Sequence, residues 1–124
     1  MRAISPEQAD LIERLRTLLS GEPAVREVSM FGGRAFMVND RMVVSAQKHG
    51  GLLVHADAER YGELLGRSGA RPATMGTGRT MGPGWIEVSA GWAADDEMLG
   101  WWIGVAMEHN RAIGGPERGG AETL

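Results

Sequence analysis

Residues 25–46 read V-R-E-V-S-M-F-G-G-R-A-F-M-V-N-D-R-M-V-V-S-A, and this stretch decides the fold. It holds three short apolar runs separated by two turn signals, Gly32-Gly33 and Asn39-Asp40. Glycine takes positive φ at no steric cost, and Asn and Asp tolerate left-handed geometry, so both pairs favour tight chain reversal. The sequence therefore predicts an antiparallel meander with strands at Val25–Met30, Arg34–Val38 and Met42–Ala46.

A helix is predicted before the meander. Ser5 is a candidate N-cap, Pro6 suits the first helical position, and Gln8 stands three residues after the cap, as in a capping box. Apolar residues then recur at helical spacing until about Leu19, and Pro23 prevents the helix from resuming. We expect this first helix to run from Pro6 to about Leu19.

The rest of the chain continues with strands and helices joined by turns. The predicted elements are a strand at Leu52–His55, a helix at Ala58–Leu65 capped by Asp57, a strand at Trp85–Ser89 and a helix at Asp95–Arg111. Residues 67–84 are rich in Gly and Pro and are predicted as a long loop, with brief strands at Met75 and Thr80-Met81.

This order of elements predicts an α+β fold. Helix, four strands, helix, one or two strands and helix cannot form a doubly wound sheet, which needs strands and helices that alternate. We expect a two-layer fold with a mainly antiparallel sheet of five or six strands and helices on one face. Residues 1–113 are predicted to form a single domain, and the small, polar residues 114–124 a disordered tail.

Composition narrows the class of protein. The 124 residues contain no cysteine, which excludes disulfides and thiolate chemistry, and the net charge of −3 disfavours autonomous binding to duplex nucleic acid. No apolar run suits a signal peptide or a membrane span, so a cytoplasmic protein is expected.

No constellation typical of catalysis is visible. The histidines, His49, His55 and His109, share no metal-ligand spacing, so we expect neither a metal site nor a cofactor. The glycine-rich segment 76–84 lacks the helix and the Lys-Ser/Thr pair of a phosphate loop, and is predicted as a hairpin connection instead. The sequence thus favours a protein that is not an enzyme.

Two groups of residues remain as candidate binding sites. Arg34, beside the glycine turn, and Arg79, in the glycine-rich segment, are candidates to hold an anion. Trp101 and Trp102 point about 100° apart on a helix, so one is expected to pack on the sheet and the other to reach a partner, with a homodimer as the first candidate. The alternative, that both are buried against the Trp85 strand, stays open.

A resemblance to a known family rests on several short motifs taken together. These are Ser29-Met30-Phe31-Gly32-Gly33, Met37-Val38-Asn39, Ala70-Arg71-Pro72, Gly78-Arg79-Thr80-Met81, Trp85 and the acidic start of the last helix. With them, residues from about 7 to 113 resemble the TfoX/Sxy N-terminal domain family. The resemblance implies a fold similar to secretion-chaperone-like domains and a regulatory role like that of natural-competence regulators. It implies no catalytic residues, and its motif positions Met30, Phe31, Gly32, Gly33 and Arg34 are implied as a fold signature only.

Three functions follow as hypotheses. The leading one is a small non-enzymatic interaction module that acts through protein–protein contact, with an unknown partner or with itself. The second is a transcription-associated regulator that touches nucleic acid directly or through a partner, with Arg34, Arg41, Arg71 and Arg79 gathered on the loop edge. The third is an anion or small-ligand binder that uses Arg34 and Arg79.

Overall fold

The residues that the structure describes form one main sheet, a small hairpin and four helices. A computed structural model describes residues 5–30, 32–75 and 78–113; the predicted tail at 114–124 lies outside them. The helices are α1 (Pro6–Leu18), α2 (Tyr61–Leu65), α3 (Ala90–Ala93) and α4 (Asp96–Ala112). The strands are β1 (Val25–Met30), β2 (Gly33–Val38), β3 (Arg41–Ala46), β4 (Leu52–His55), β5 (Ala70–Pro72), β6 (Thr74–Met75), β7 (Arg79–Thr80) and β8 (Trp85–Val88). Short 3-10 turns lie at Lys48–Gly50 and Ala58–Arg60.

The main sheet has six strands in the order β1-β2-β3-β4-β8-β5, and each neighbouring pair is antiparallel. The first four strands follow one another along the chain, as expected of a meander joined by short turns. The predicted α+β class and the antiparallel sheet are therefore confirmed.

Helix caps form where the sequence places them. The Ser5 hydroxyl accepts a hydrogen bond from the Gln8 backbone N–H at 3.1 Å, which starts α1. The Asp57 carboxylate accepts from the Glu59 N–H at 2.9 Å, ahead of the 3-10 turn that leads into α2. Asp95 accepts from the Met98 N–H at 3.0 Å and starts α4. Each side chain satisfies a donor that the first helical turn leaves without a backbone acceptor.

The two meander turns differ in detail. Asn39 and Asp40 have φ angles of 55° and 65°, so the second turn has the left-handed geometry predicted for it. At the first turn the prediction was off by one residue, because β2 begins at Gly33 rather than at Arg34. Gly33 pairs with Met30, and Gly32, with φ of 77°, lies in the turn itself.

The hydrophobic core lies between one face of the sheet and helices α1 and α4. Its largest fully buried side chains are Trp102, Phe36, Leu15, Leu19, Leu52, Leu64, Ile86 and Leu99. Buried Asn110 in α4 donates a hydrogen bond to the Val38 carbonyl at 3.0 Å. This bond ties the helix to the end of β2 without leaving either polar group unpaired.

The segment predicted as a long loop is more ordered than expected. Residues 70–72 form β5 at the edge of the main sheet beside β8, and β6 pairs with β7 as a separate antiparallel hairpin. Because β5 holds only three residues, including Pro72, it carries no period-2 pattern that a sequence could reveal. The short helix α3 was likewise not predicted.

Candidate functional site

The glycine turn is held against the start of α1 by one buried amide. The Gln8 side chain is 6% exposed, and its Nε2 donates to the Gly32 carbonyl at 3.3 Å and to the Ala46 carbonyl at 3.0 Å. One side chain therefore joins α1, the turn and the end of β3. Gln8 occupies the apolar stripe of α1 with Leu11, Ile12 and Leu15, and a polar residue on that stripe is the signal that could have revealed this contact. Phe31, the other turn residue of the motif, lies outside the described residues.

Gly33 is where two strands approach closely. A Cβ atom at this position would lie 2.8 Å from Ser45 Oγ, 2.9 Å from the Ala46 carbonyl oxygen and 2.9 Å from Gln47 Oε1. At Gly32 the nearest atom would be Lys48 Cε, at 2.7 Å. The motif therefore needs a glycine at 33 for space and at 32 for backbone geometry.

The Arg34 guanidinium is already paired within the chain. Its Nη1 lies 3.1 Å from Glu27 Oε1, and Arg16 of α1 donates to the same carboxylate at 2.7 and 2.9 Å. Arg16 first, and then Arg34, hold the pKa of Glu27 below its usual value. This network joins α1, β1 and β2, so it stabilises the fold in the region of the motif.

The four arginines of the nucleic-acid hypothesis do not gather. Arg34 on β2 and Arg41 on β3 lie at opposite ends of the β2–β3 ladder, about 17 Å apart along the strands. Arg71 is bound to Glu87 at 2.9 Å, and Arg79 lies on β7, next to the β5 edge. Four strand spacings, about 19 Å, separate β2 from β5. The predicted meeting of Arg34 with Arg79 around one anion is not supported by this topology.

Of the four tryptophans, Trp102 is buried, Trp92 is exposed, and Trp85 and Trp101 are partly buried. Trp102 is 0% exposed in the core, as expected for one of the two adjacent tryptophans, and therefore offers no surface to a partner. Trp101 is partly buried, and the Arg67 guanidinium lies over its ring at 3.9 Å. Trp92 of α3 is 44% exposed and packs against Gly69, where a Cβ would lie 2.3 Å from its Cδ1. We call the surface formed by Arg67, Gly69, Trp92 and Trp101 the aromatic surface.

A second cluster joins two histidines that the sequence keeps apart. His55 stacks on Trp85, with ring centroids 4.0 Å apart and planes 6° from parallel. His109 of α4 lies edge-on to His55 at 4.9 Å. These two histidines are 54 positions apart, so no local spacing could have revealed the contact.

Comparison with family models decides the assignment. The model of the TfoX N-terminal domain matches residues 17–110. The chain belongs to the TfoX N-terminal domain family. The match runs from the last turn of α1 into α4 and so includes the whole main sheet. This confirms the family that the motifs indicated. No curated protein and no solved structure matches this chain.

Across residues 5–30, 32–75 and 78–113, no group of three or more His, Cys, Asp or Glu side chains is placed to hold a metal ion. In the same described part of the domain, no helix is long and apolar enough to cross a membrane.

Gln8→Ala should lower the free energy of unfolding of the domain by about 1–2 kcal/mol, because the Gly32 and Ala46 carbonyls lose a buried donor. Gln8→Glu should cost more, since a carboxylate cannot donate and would face two carbonyl oxygens. Urea unfolding measures both variants. The exposed neighbour Asp10 supplies the control, and Asp10→Ala should change stability by less than about 0.5 kcal/mol. Equal losses for Gln8→Ala and Asp10→Ala would contradict a stabilising role for the two Gln8 hydrogen bonds.

Glu27 should make the stability of the domain sensitive to acid. Its folded pKa is held below the ordinary value of 4.5, so at low pH the unfolded state binds more protons than the folded state. The stability due to Glu27 is therefore complete above about pH 4.5 and is lost as the pH falls through the lowered folded pKa. Urea midpoints between pH 6 and pH 3 should fall less steeply for Glu27→Gln than for the unmodified chain.

Glu63 provides the matched control for this titration. Arg60 lowers the pKa of Glu63 as well, but Glu63 is fully exposed to solvent, which screens the pair. Glu63→Gln should therefore keep the acid dependence of the unmodified chain. An unchanged slope in Glu27→Gln would show that the Arg16–Glu27–Arg34 network carries no acid-sensitive stability.

Proposed function

We propose that this domain is a small, non-enzymatic regulatory module of the cytoplasm that acts through protein–protein contact at the aromatic surface. The regulatory role is inferred from membership of the TfoX N-terminal domain family. The resemblance to this family implies a role like that of natural-competence regulators. The exposure of Trp92 is the observation that carries the contact proposal. A large indole that is 44% exposed leaves apolar area in water, and a protein contact would bury it.

The residues of the aromatic surface suit a protein partner. Trp and Arg are the residue types most enriched among those that dominate binding energy at interfaces. The Arg67–Trp101 contact holds both side chains in place, so less conformational entropy is lost when a partner binds. Gly69 has no side chain, so Trp92 occupies the space that a Cβ atom at this position would fill. The surface is therefore partly organised before binding.

A second copy of this chain is the occupant that the charges favour. Arg67 supplies a positive charge, and Asp95 and Glu97, close to Trp92 in the chain, supply exposed negative charges. A two-fold axis would bring the cation of one copy toward the acids of the other, because isologous interfaces pair each patch with itself. The domain would then be a homodimer with the aromatic surface as its interface.

The oligomeric state tests this proposal, and Leu18 supplies a matched control. Leu18 and Trp92 are the two large hydrophobic side chains that are exposed among the described residues, at 45% and 44%. Sedimentation velocity should show a dimer for the unmodified chain and for Leu18→Ala, and a monomer for Trp92→Ala. A monomer in all three would remove the homodimer. A pull-down from cytoplasm would then test for a different protein partner. A protein captured by the unmodified chain but not by Trp92→Ala would show that the aromatic surface contacts a partner other than itself.

Direct contact with nucleic acid receives no comparable support. The arginines expected to form a basic edge lie on separate strands, and two of them form ion pairs, Arg34 with Glu27 and Arg71 with Glu87. Phosphate binding depends on several cations that act on one stretch of backbone. The geometry therefore favours a protein contact over a nucleic-acid contact.

A further inference from the structure

The two edges of the main sheet differ in how well they are protected. At one edge β5 has only three residues, and Pro72 among them has no N–H to offer. Just beyond β5 the Met81 N–H donates to the Ala73 carbonyl at 2.8 Å, so the β6–β7 hairpin is tied to this end of β5. At the other edge β1 has six residues without a proline and pairs with β2 in an unbroken register. A further strand therefore finds a suitable edge at β1 and not at β5.

The backbone of β1 presents hydrogen-bonding groups on the side away from β2. The Asn39 N–H donates to the Ala24 carbonyl at 3.3 Å, directly next to the β1–β2 ladder. Hydrogen-bonded and non-hydrogen-bonded pairs alternate along an antiparallel ladder, so Val25, Glu27 and Ser29 point their N–H and C=O groups away from β2. In the part of the chain that the structure describes, β1 has no strand on that side. These groups repeat about every 6.8 Å in a line, a spacing that another extended polypeptide backbone matches.

The side chains of β1 on the outer face of the sheet define the chemistry of such a segment. Val25 packs against the core, so by alternation Arg26 and Val28 lie on the face away from the helices. Val28 is half-buried and offers an apolar contact at the edge. The Arg26 side chain is 57% exposed, and its partner Asp40 is 86% exposed, so this surface pair holds the guanidinium weakly. The outer side of the edge therefore suits an apolar residue next to an acidic one.

The helix side of β1 is compatible with an added strand. Glu27 is the one acidic residue of β1, and Arg16 and Arg34 already form ion pairs with it. An added strand would thus cover a compensated carboxylate, which avoids the cost of burying an unpaired charge. Val25 is only half-buried, and the same strand would remove more of its apolar surface from water.

We propose that β1 binds an extended segment of a partner protein as a further antiparallel strand of the main sheet. The segment has an apolar residue beside Val28 and, two residues later in its own chain, an acidic residue beside Arg26. The order is fixed because antiparallel strands run in opposite directions, and cross-strand pairs of these two kinds are favourable. This contact is separate from the aromatic surface, because Gly69 of that surface directly precedes β5, at the opposite edge of the sheet.

A synthetic peptide, acetyl-Thr-Val-Thr-Glu-Val-amide, is the probe that tests strand addition to the full chain. Its valine in second position and its glutamate would lie beside Val28 and Arg26. Nuclear magnetic resonance of the isotope-labelled chain should show saturable shifts of the backbone amide signals of Val25, Glu27 and Ser29. Methylation of the peptide nitrogen at the central threonine, which would face β1, should weaken binding about tenfold or more. Methylation at the glutamate nitrogen, which would face away from β1, should leave the affinity unchanged.

Three substitutions in the chain separate the backbone contact from other effects. Ser29→Pro removes an N–H that takes no part in the β1–β2 ladder and should abolish binding, since proline is tolerated at such edge positions. Ser29→Ala keeps that N–H and should bind the peptide as the unmodified chain does. Trp92→Ala should also bind normally, so failure of strand addition and failure of the aromatic surface remain distinguishable.

Several results would overturn the proposal. These are no saturable shifts, equal affinity for the two methylated peptides, and shifts centred on β5 or on the aromatic surface. Shifts of the β1 amide signals that depend on the concentration of the chain alone would assign this edge to a second copy, and would refute a segment of a different protein. If Ser29→Pro does not fold, the comparison of the two methylated peptides on the unmodified chain decides.

Discussion

Replacing Trp102 with alanine should lower the free energy of unfolding by about 3–5 kcal/mol, the largest loss that we expect from a single substitution in this domain. Trp102 is 0% exposed and is the largest fully buried side chain of the core. Alanine would remove the whole indole and leave a cavity between α4 and the sheet that the surrounding side chains fill only in part. Small domains are stable by only about 5–15 kcal/mol, so much of the total stability would be lost.

Urea unfolding followed by circular dichroism measures this loss, and Trp92→Ala is the control. The same substitution at a half-exposed tryptophan should cost less than about 1 kcal/mol, because little packing is lost at the surface. Trp102→Phe adds a second comparison. The Trp102 Nε1 has no hydrogen-bond partner among the described residues, so phenylalanine gives up ring volume but no hydrogen bond. Equal costs for Trp102→Ala and Trp92→Ala would contradict the placement of Trp102 in the core.

Gly33→Ala should lower the free energy of unfolding by about 1–3 kcal/mol through overpacking. The added methyl group would meet the Ala46 carbonyl oxygen at 2.9 Å, as well as two side-chain oxygens. The side-chain oxygens can move aside, but the carbonyl belongs to β3, so the ladder between β2 and β3 has to shift. Thermal unfolding monitored by circular dichroism reports this change as a lower Tm.

Gly62→Ala is the matched control for the glycine motif. Gly62 lies in α2, where nothing lies within 4 Å of an added Cβ, and its φ is not positive. Alanine is favoured over glycine in a helix by about 0.8–1.0 kcal/mol, so this variant should be as stable as the unmodified chain or more stable. A Tm for Gly33→Ala at or above that of Gly62→Ala would refute a role for Gly33 in the close approach of the strands.

Local chemistry explains which elements could be predicted. Asn39 and Asp40 make a left-handed turn because of their own side chains, and Ser5 and Asp95 cap helices within three residues. Features of this kind depend on neighbours in the chain, which the sequence displays directly. The strand β5 depends instead on pairing with β8, and its three residues carry too little pattern to show it.

In the candidate sites, too, features set by neighbouring residues could be predicted and contacts between distant segments could not. The glycine motif was recognisable from the sequence, but the start of β2 was predicted at Arg34, one residue too late. A glycine pair alone does not show which of its two members enters the strand. Adjacent tryptophans on a helix predicted that one would be buried, yet only packing showed that it is Trp102. The exposure of Trp92 and the meeting of His55 with His109 had no sequence signal, since both depend on distant segments.

The sequence by itself determined the family, through its short motifs, and also the order of the main elements, the meander and its turns, which depend on residue patterns and turn residues close together in the chain. Only the tertiary structure decided which tryptophan is exposed, that the Gln8 amide bonds to the Gly32 and Ala46 carbonyls, and that two histidines meet. The physical reason is that packing of α1 and α4 against the sheet selects a few long-range contacts among many that the same residues could make. Chain connectivity places no constraint on that choice at separations of tens of residues.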